Sequence, residues 1–323
     1  MQGLLAVFKK ELADHFSSYR FILLFALIAM VGFITSYMAG INLKESLEIE
    51  GTHMPKFVFL RLLILPGAYF SLVQFVAFFG PLIGLVLGFD SINRERAHGT
   101  LIKLITQPIY RDAVINGKFL AGVTTITIML VSIILVIAGF GLLLLGVVPG
   151  IEEILRLFVY ILISIFYISL WLGVSILFSI IFRSIATSAL TSVALWIFLI
   201  FFISMGAKVV ADTIAPVDKL EETSYETRVK NIQIQEALSL ISPMELYSQA
   251  SRVIVNPTEK TTSILSIALM GPRERQSASR FQNPLSLGQS VVVVYPHIVA
   301  LVAITLICFA ISYLIFMIQE IRT

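Results

Sequence analysis

Charge is what this chain has least of. Of its 323 residues only 13% are Asp, Glu, Lys or Arg, where a soluble domain carries about 25%. A soluble chain of this length needs polar side chains to cover its surface; with 58% hydrophobic residues and a mean hydropathy of +0.94, this one must meet lipid over much of it. The net charge of +3 is too small to argue for nucleic acid. Cysteine is nearly absent as well. Cys308 stands alone inside an apolar run, so one chain can build no disulfide framework. His15, His53, His98 and His297 are scattered without ligand spacing, which leaves little support for a metal site.

Catalytic signatures are missing too. The only Gly-Lys pair, Gly117-Lys118, lacks the upstream glycine of a phosphate loop because Asp112 stands in its place. Neither H-E-x-x-H nor G-x-S-x-G occurs. Glu152-Glu153-Ile154-Leu155-Arg156 superficially suggests the paired glutamates of an intramembrane protease, but no span carries the histidines that site needs. Two carboxylates favouring a helix N-terminus are the better reading. Within the apolar runs almost no ionisable residue lies away from the ends, which disfavours an ion-coupled carrier. The hydroxyls and amides there (Gln74, Thr124, Thr125, Thr127, Ser132, Ser164, Tyr167, Ser169, Ser175 and Ser179) read as helix–helix glue.

What is present is long apolar runs. A helix needs about 20 mostly apolar residues to cross the hydrocarbon core, and six stretches qualify: 21–41, 71–89, 119–147, 153–182, 185–207 and 295–318. Only Arg183-Ser184 separates the fourth from the fifth, a tight hairpin. No small-residue cleavage site follows the first run, so it is expected to be retained as a span. The expected class is an all-α polytopic membrane protein with six transmembrane helices. Three regions follow: 1–207 with spans 1–5 and a loop at 91–117, an extracytoplasmic helical segment at 208–294, and the last span with its tail at 295–323. Lys9, Lys10, Arg20, Arg94, Arg96, Lys103, Arg111, Lys118, Arg183 and Arg322 fall on one side, which places both termini in the cytoplasm by the positive-inside rule.

Residues 3–18 set Leu4, Leu5, Phe8, Leu12 and Phe16 near helical spacing, the pattern of an amphipathic helix lying at the interface. In the outer segment a helix is expected up to about Ile241. Ser242-Pro243-Met244-Glu245 then predicts a capped start for a helix running to Asn256-Pro257, and a short apolar helix is expected from Thr262 to Met270. The most patterned stretch is Asp90 to Lys118. Leu101, Leu104 and Ile105 form an i, i+3, i+4 apolar edge that Gln107-Pro108 ends, and Asp112 is expected to cap the helix entering span 3. A short amphipathic helix held between two spans suits insertion into a groove on a cytoplasmic partner.

The same residues carry a resemblance. Asp90-Ser91-Ile92-Asn93-Arg94-Glu95-Arg96-Ala97-His98-Gly99-Thr100-Leu101, then Gln107-Pro108-Ile109, Arg111 and Gly117-Lys118, resemble the cytoplasmic signature of ATP-binding-cassette (ABC) type-2 permeases. The F-K-K-E-L before span 1, S-P-x-x-L-Y-S in the outer segment and Q-E-I-R at the end fit in order, so the likeness covers nearly the whole chain. The resemblance implies a plasma-membrane exporter subunit that pairs with a second permease copy, homo- or heterodimeric. Each copy would dock one ABC ATPase subunit through residues 91–107. Asn93, Arg94, Glu95, Arg96, Gly99, Thr100, Leu101, Leu104, Ile105 and Pro108 would form that docking region. Phe8, Lys9, Lys10, Glu11 and Leu12 of the interface helix would contribute to the contact. The chain itself would be no enzyme and hold no cofactor, ATP residing on the partner. The outer segment looks longer than in the plainest members, and one branch, serving nitrous-oxide-reductase maturation, is similar in plan. The alternative is therefore a mechanical transmitter or scaffold whose outer segment acts on an extracytoplasmic partner protein.

Overall fold

The computed structural model describes residues 2–50, 57–64, 71–100, 110–146, 148–216, 225–257 and 284–319. Every regular element among them is helical. In chain order these are α1 (Gln2–Ser17), α2 (Tyr19–Glu50), α3 (Val58–Arg61), α4 (Leu72–Gly88), α5 (Asn93–Ala97), α6 (Arg111–Leu145) and α7 (Ile151–Ile181). They are followed by α8 (Ile185–Ile214), α9 (Tyr225–Ser239), α10 (Pro243–Val255) and α11 (Leu287–Ile318). Six of the helices are long and apolar enough to cross a membrane: those of α2, α4, α6, α7, α8 and α11.

Local chemistry sets the ends. Ser71 and Gln74 exchange side-chain and backbone hydrogen bonds at the start of α4, and Ser286 and Gln289 do the same for α11. Span 6 thus begins at Leu287 and carries Pro296 inside its helix. Gly146, with φ of 64°, ends α6 in the left-handed region that a side chain disfavours. α8 runs 30 residues through a π-helical turn at Phe198–Phe202. At 1.5 Å per residue that is about 45 Å, longer than the hydrocarbon core, and α9 packs against its C-terminal part.

Two expected caps take other forms. Tyr110, not Asp112, is the N-cap of α6; Asp112 sits one residue inside the helix and its Oδ1 accepts the Ala113 N–H at 2.8 Å. Ser242 does precede α10 with Pro243 in the first turn, but no side-chain cap forms. Glu245 turns away, accepting from Gln249 Nε2 at 3.1 Å and lying 3.7 Å from Arg252. The expected helices at Leu101–Ile105 and at Thr262–Met270 lie outside the described residues.

Packing divides the helices into two groups. α1 and α2 lie against α6; α4, α10 and α11 surround α7; and α6 joins α7. The α4–α7 contact is very close because Gly80, Gly84 and Gly88 repeat at every fourth residue and bring one face of α4 against α7. A Cβ on Gly84 would stand 2.5 Å from the Ile168 carbonyl oxygen and 2.7 Å from the Leu172 nitrogen. Gly122 of α6 makes room for the Leu172 side chain, a Cβ there standing 2.6 Å from Leu172 Cδ2, so α4, α6 and α7 all meet at this residue.

Candidate functional site

The site begins with the face α1 turns to the bundle. Leu5 and Phe16 of its apolar stripe remain exposed, while Val7 and Glu11 are the buried residues. Gly117 admits this contact: a Cβ there would lie 2.9 Å from Val7 Cγ1. Phe8 and Leu12 are half-buried, and Lys9 is exposed.

Burying Glu11 demands a cation, and Lys118 of α6 supplies it. Lys118 Nζ, its side chain only 3% exposed, donates to Glu11 Oε1 at 2.7 Å and to Glu95 Oε1 of α5 at 3.0 Å. Lys10 Nζ reaches the same two oxygens at 3.1 and 2.9 Å from the solvent side. Two cations and two carboxylates thus close a balanced cluster joining α1, α5 and α6. Burial acts to raise the Glu11 pKa, but the charges and hydrogen bonds of Lys118 and Lys10 outweigh it and hold the carboxyl below its ordinary value. Burial works against the charged form of Lys10 as well; Glu11 and Glu95 override it and raise its pKa. His15 shows the opposite balance, since burial dominates and favours its neutral form. A second ion pair, Arg20 Nη1 to Asp90 Oδ2 at 2.6 Å, ties the start of α2 to the end of α4. Between them lies a cleft of about 630 Å³ bordered by Lys10, Arg20, Asp90, Arg94, Glu95 and His98.

The remaining predicted residues separate into those that anchor α5 and those free to meet something else. Asn93 is fully buried; its N–H and that of Ile92 donate to Ser179 Oγ of α7 at 3.1 and 2.9 Å, and its Nδ2 donates to the Ser184 carbonyl at 3.4 Å. Thr100 Oγ1 donates to the Glu95 carbonyl at 3.1 Å, and Gly99 takes φ of 67°, turning the chain out of α5. Arg94 is exposed, whereas Arg96 reaches Gln319 at the end of α11 at 3.1 Å. Leu101, Leu104, Ile105 and Pro108 lie outside the described residues.

From Ser179 a line of buried polar side chains runs the whole length of α7: Ser179, Ser175, Trp171, Tyr167, Ser164, Tyr160 and Arg156, none more than 1% exposed. Their spacing of four and three keeps them on one helix face. Ser175 Oγ donates to the Gly84 carbonyl at 3.1 Å, and Tyr167 O–H to that of Ala77 at 2.6 Å. Tyr247 of α10 stacks on Tyr167 with centroids 4.4 Å apart. Its hydroxyl lies 2.9 Å from Ser164 Oγ and 3.2 Å from the Tyr160 hydroxyl.

At the N-terminal end of α7 Arg156 donates to the carbonyls of Ile254 and Leu285 at 3.1 and 2.6 Å, to Ser290 Oγ at 3.1 Å and to Glu152 at 2.9 Å. Glu153 accepts from the Gly150 and Phe59 N–H groups. The two glutamates do start α7, as their position suggests, and they also organise the contacts around that end of the helix. Sequence reasoning gave Arg156 no role of its own; it read Ser164, Tyr167, Ser175 and Ser179 as helix–helix glue but overlooked the continuation through Trp171, Tyr160 and Arg156, and overlooked the glycine repeat. The four-residue spacing of Gly80, Gly84 and Gly88 was the available signal.

Compared with known proteins, residues 5–321 match the family described as ABC-2 family transporter protein. A stretch of 90 residues is 36% identical to the Probable ABC transporter permease protein NosY of Pseudomonas aeruginosa, covering 27% of this chain and 30% of that protein. Its namesake from Stutzerimonas stutzeri is 34% identical over 91 residues, 27% of this chain and 31% of the relative. The matched stretch thus spans under a third of each of these curated relatives.

Proposed function

Since the chain belongs to the ABC-2 family of transporter proteins, we propose that it is the permease subunit of an ABC exporter, driven by a separate ATPase docked on residues 91–107 and α1. Both termini then face the cytoplasm, and two permease copies carry two ATPase subunits. The observation that carries this reading is the Lys118 cluster. It fastens α5, the first part of the docking stretch, to both α1 and α6. Ser179 fastens the same short helix to α7. A push on 91–107 therefore reaches both helix groups at once instead of bending a loose loop.

The test is co-expression with a candidate ABC ATPase and recovery of the complex. Aspartate substitutions at Leu101, Leu104 and Ile105 should abolish recovery. Undiminished recovery would remove the docking assignment.

One observation favours the second reading, a transmitter acting on an outer partner protein. The buried polar seam runs along α7 from the docking end and hydrogen-bonds to α10 through Tyr247 and the Ile254 carbonyl and to the start of α11 through Ser290. Reconstituted complexes separate the two. An exporter's ATP turnover responds to an amphipathic small molecule in vesicles lacking any other protein, and a transmitter's responds only when the outer partner is supplied.

A further inference from the structure

Three arginines gather where the last turn of α11 meets the ends of α5, α6 and α7. Arg96 Nη2 donates to Gln319 Oε1 at 3.1 Å, and Arg111 Nη1 donates to the Gln319 carbonyl at 3.4 Å. Gln319 Nε2 in turn donates to the Ile180 carbonyl at 3.4 Å. Arg183 follows in the turn after α7, and the Asn93–Ser184 hydrogen bond holds that turn beside α5.

These cations differ from those of the Lys118 cluster. Lys10, Arg20 and Lys118 each have a carboxylate within 3.1 Å. Arg96, Arg111 and Arg183 form no ion pair among the described residues. Nη1 of Arg96 is shielded from solvent and donates to no acceptor there. A guanidinium in that state calls for an anion with several acceptor oxygens, because its donors lie in a rigid planar fork.

The surroundings indicate which anion. Ile181 and Ile318, at the ends of the same two helices, are 44% and 79% exposed. Charge at the end of a span with exposed apolar surface directly beside it matches a molecule with an anionic head and an apolar tail. We propose that Arg96, Arg111 and Arg183 bind the phosphate of an anionic phospholipid, whose chains lie along Ile181 and Ile318. Arg96 also lies within the 91–107 docking stretch, whereas Arg111 and Arg183 lie outside it, and lipid binding here does not depend on a docked ATPase. It makes the packing of α11 against α5, α6 and α7 responsive to the lipid in that leaflet.

The experiment uses the full chain, delipidated in neutral detergent, with thermal unfolding followed on titration with phosphatidylglycerol, phosphatidylcholine or inorganic phosphate. Phosphatidylglycerol is expected to raise the midpoint by several degrees and the other two to leave it in place. Arg183→Gln, in an exposed turn, should weaken the phosphatidylglycerol response by about tenfold in concentration. Arg96→Gln with Arg111→Gln should weaken it further, Arg183→Lys should retain most of it, and Arg94→Gln should leave it unchanged. Should the double variant fail to fold, Arg183→Gln against Arg183→Lys decides alone. An equal response to phosphatidylcholine, an equal response to inorganic phosphate, or full response in Arg183→Gln would each overturn the proposal.

Discussion

Replacing Lys118 by methionine keeps an unbranched side chain one atom shorter and removes the charge, leaving Glu11 and Glu95 facing each other. Both Oε1 atoms bond the same Nζ, at 2.7 and 3.0 Å, so they stand no more than about 6 Å apart. At an effective dielectric constant of about 20 their repulsion amounts to about 3 kcal/mol. Removing one partner from a buried ion cluster typically costs about 3–5 kcal/mol. Lys10 tempers this, because it still reaches both carboxylates, although its side chain is 51% exposed and its attraction is screened. The expected loss in α1 docking is therefore about 2–3 kcal/mol, or roughly 30- to 150-fold faster amide hydrogen exchange along α1. Lys9→Met, which removes an exposed charge from the same helix, should leave exchange unchanged. Adding Glu11→Gln and Glu95→Gln to Lys118→Met should recover much of the protection, since a neutral hydrogen-bonded set carries no uncompensated charge. Exchange in Lys118→Met within roughly threefold of wild type would refute the reasoning, as the cluster would then contribute under about 0.7 kcal/mol.

Acidification should loosen the same helix. The pKa values of His15 and Glu11 are both lowered in the folded state from ordinary values of 6.5 and 4.5, so the undocked helix binds more protons and stability falls with pH. Protection of the α1 amides, taken relative to the intrinsic exchange rate at each pH, should begin to fall as pH drops below 6.5 and fall more steeply below 4.5; protection that stays constant from pH 8 to 4 would contradict this. Gly84→Ala should lower the thermal midpoint, at about 1–3 kcal/mol, because its methyl meets backbone atoms of α7. Gly139→Ala, whose Cβ meets nothing within 4 Å, should be neutral or slightly stabilising, and equal midpoints for the two variants would discredit the close α4–α7 contact. Arg156→Met should strip hydrogen-exchange protection from α10 and the first turns of α11 by about 3–5 kcal/mol. Arg156→Lys should fail to restore it, as one ammonium cannot reproduce the fork; full rescue by lysine would reduce Arg156 to a simple charge.

How much of this could be read from the chain alone depends on the range of each interaction. The spans were legible because lipid selects apolar runs locally, and α10 ends at Asn256 as its sequence suggests. Ser164, Tyr167, Ser175 and Ser179 are the interhelical glue that hydroxyls in spans are expected to be. Their partners, however, come from segments far away in sequence, and periodicity carries no information about those. The Lys118 cluster has the same character, with Glu11 lying 107 residues from its partner. Glu95 and Asn93 were singled out as surfaces for docking, yet both are buried and serve to hold α5 in place. The reciprocal half of the Ser242 capping box is missing for a local reason: Gln249 and Arg252, one turn and two turns on, engage the Glu245 carboxylate.

The central claim is that an ABC ATPase seats on residues 91–107. A photoreactive amino acid placed at Leu104 and, as a control, at Leu143, which is 84% exposed at the far end of span 3, tests it in native membranes. Capture of an ATP-binding-cassette ATPase from position 104 and not from 143 is the predicted result. No ATPase at 104, or equal capture at both positions, would contradict it.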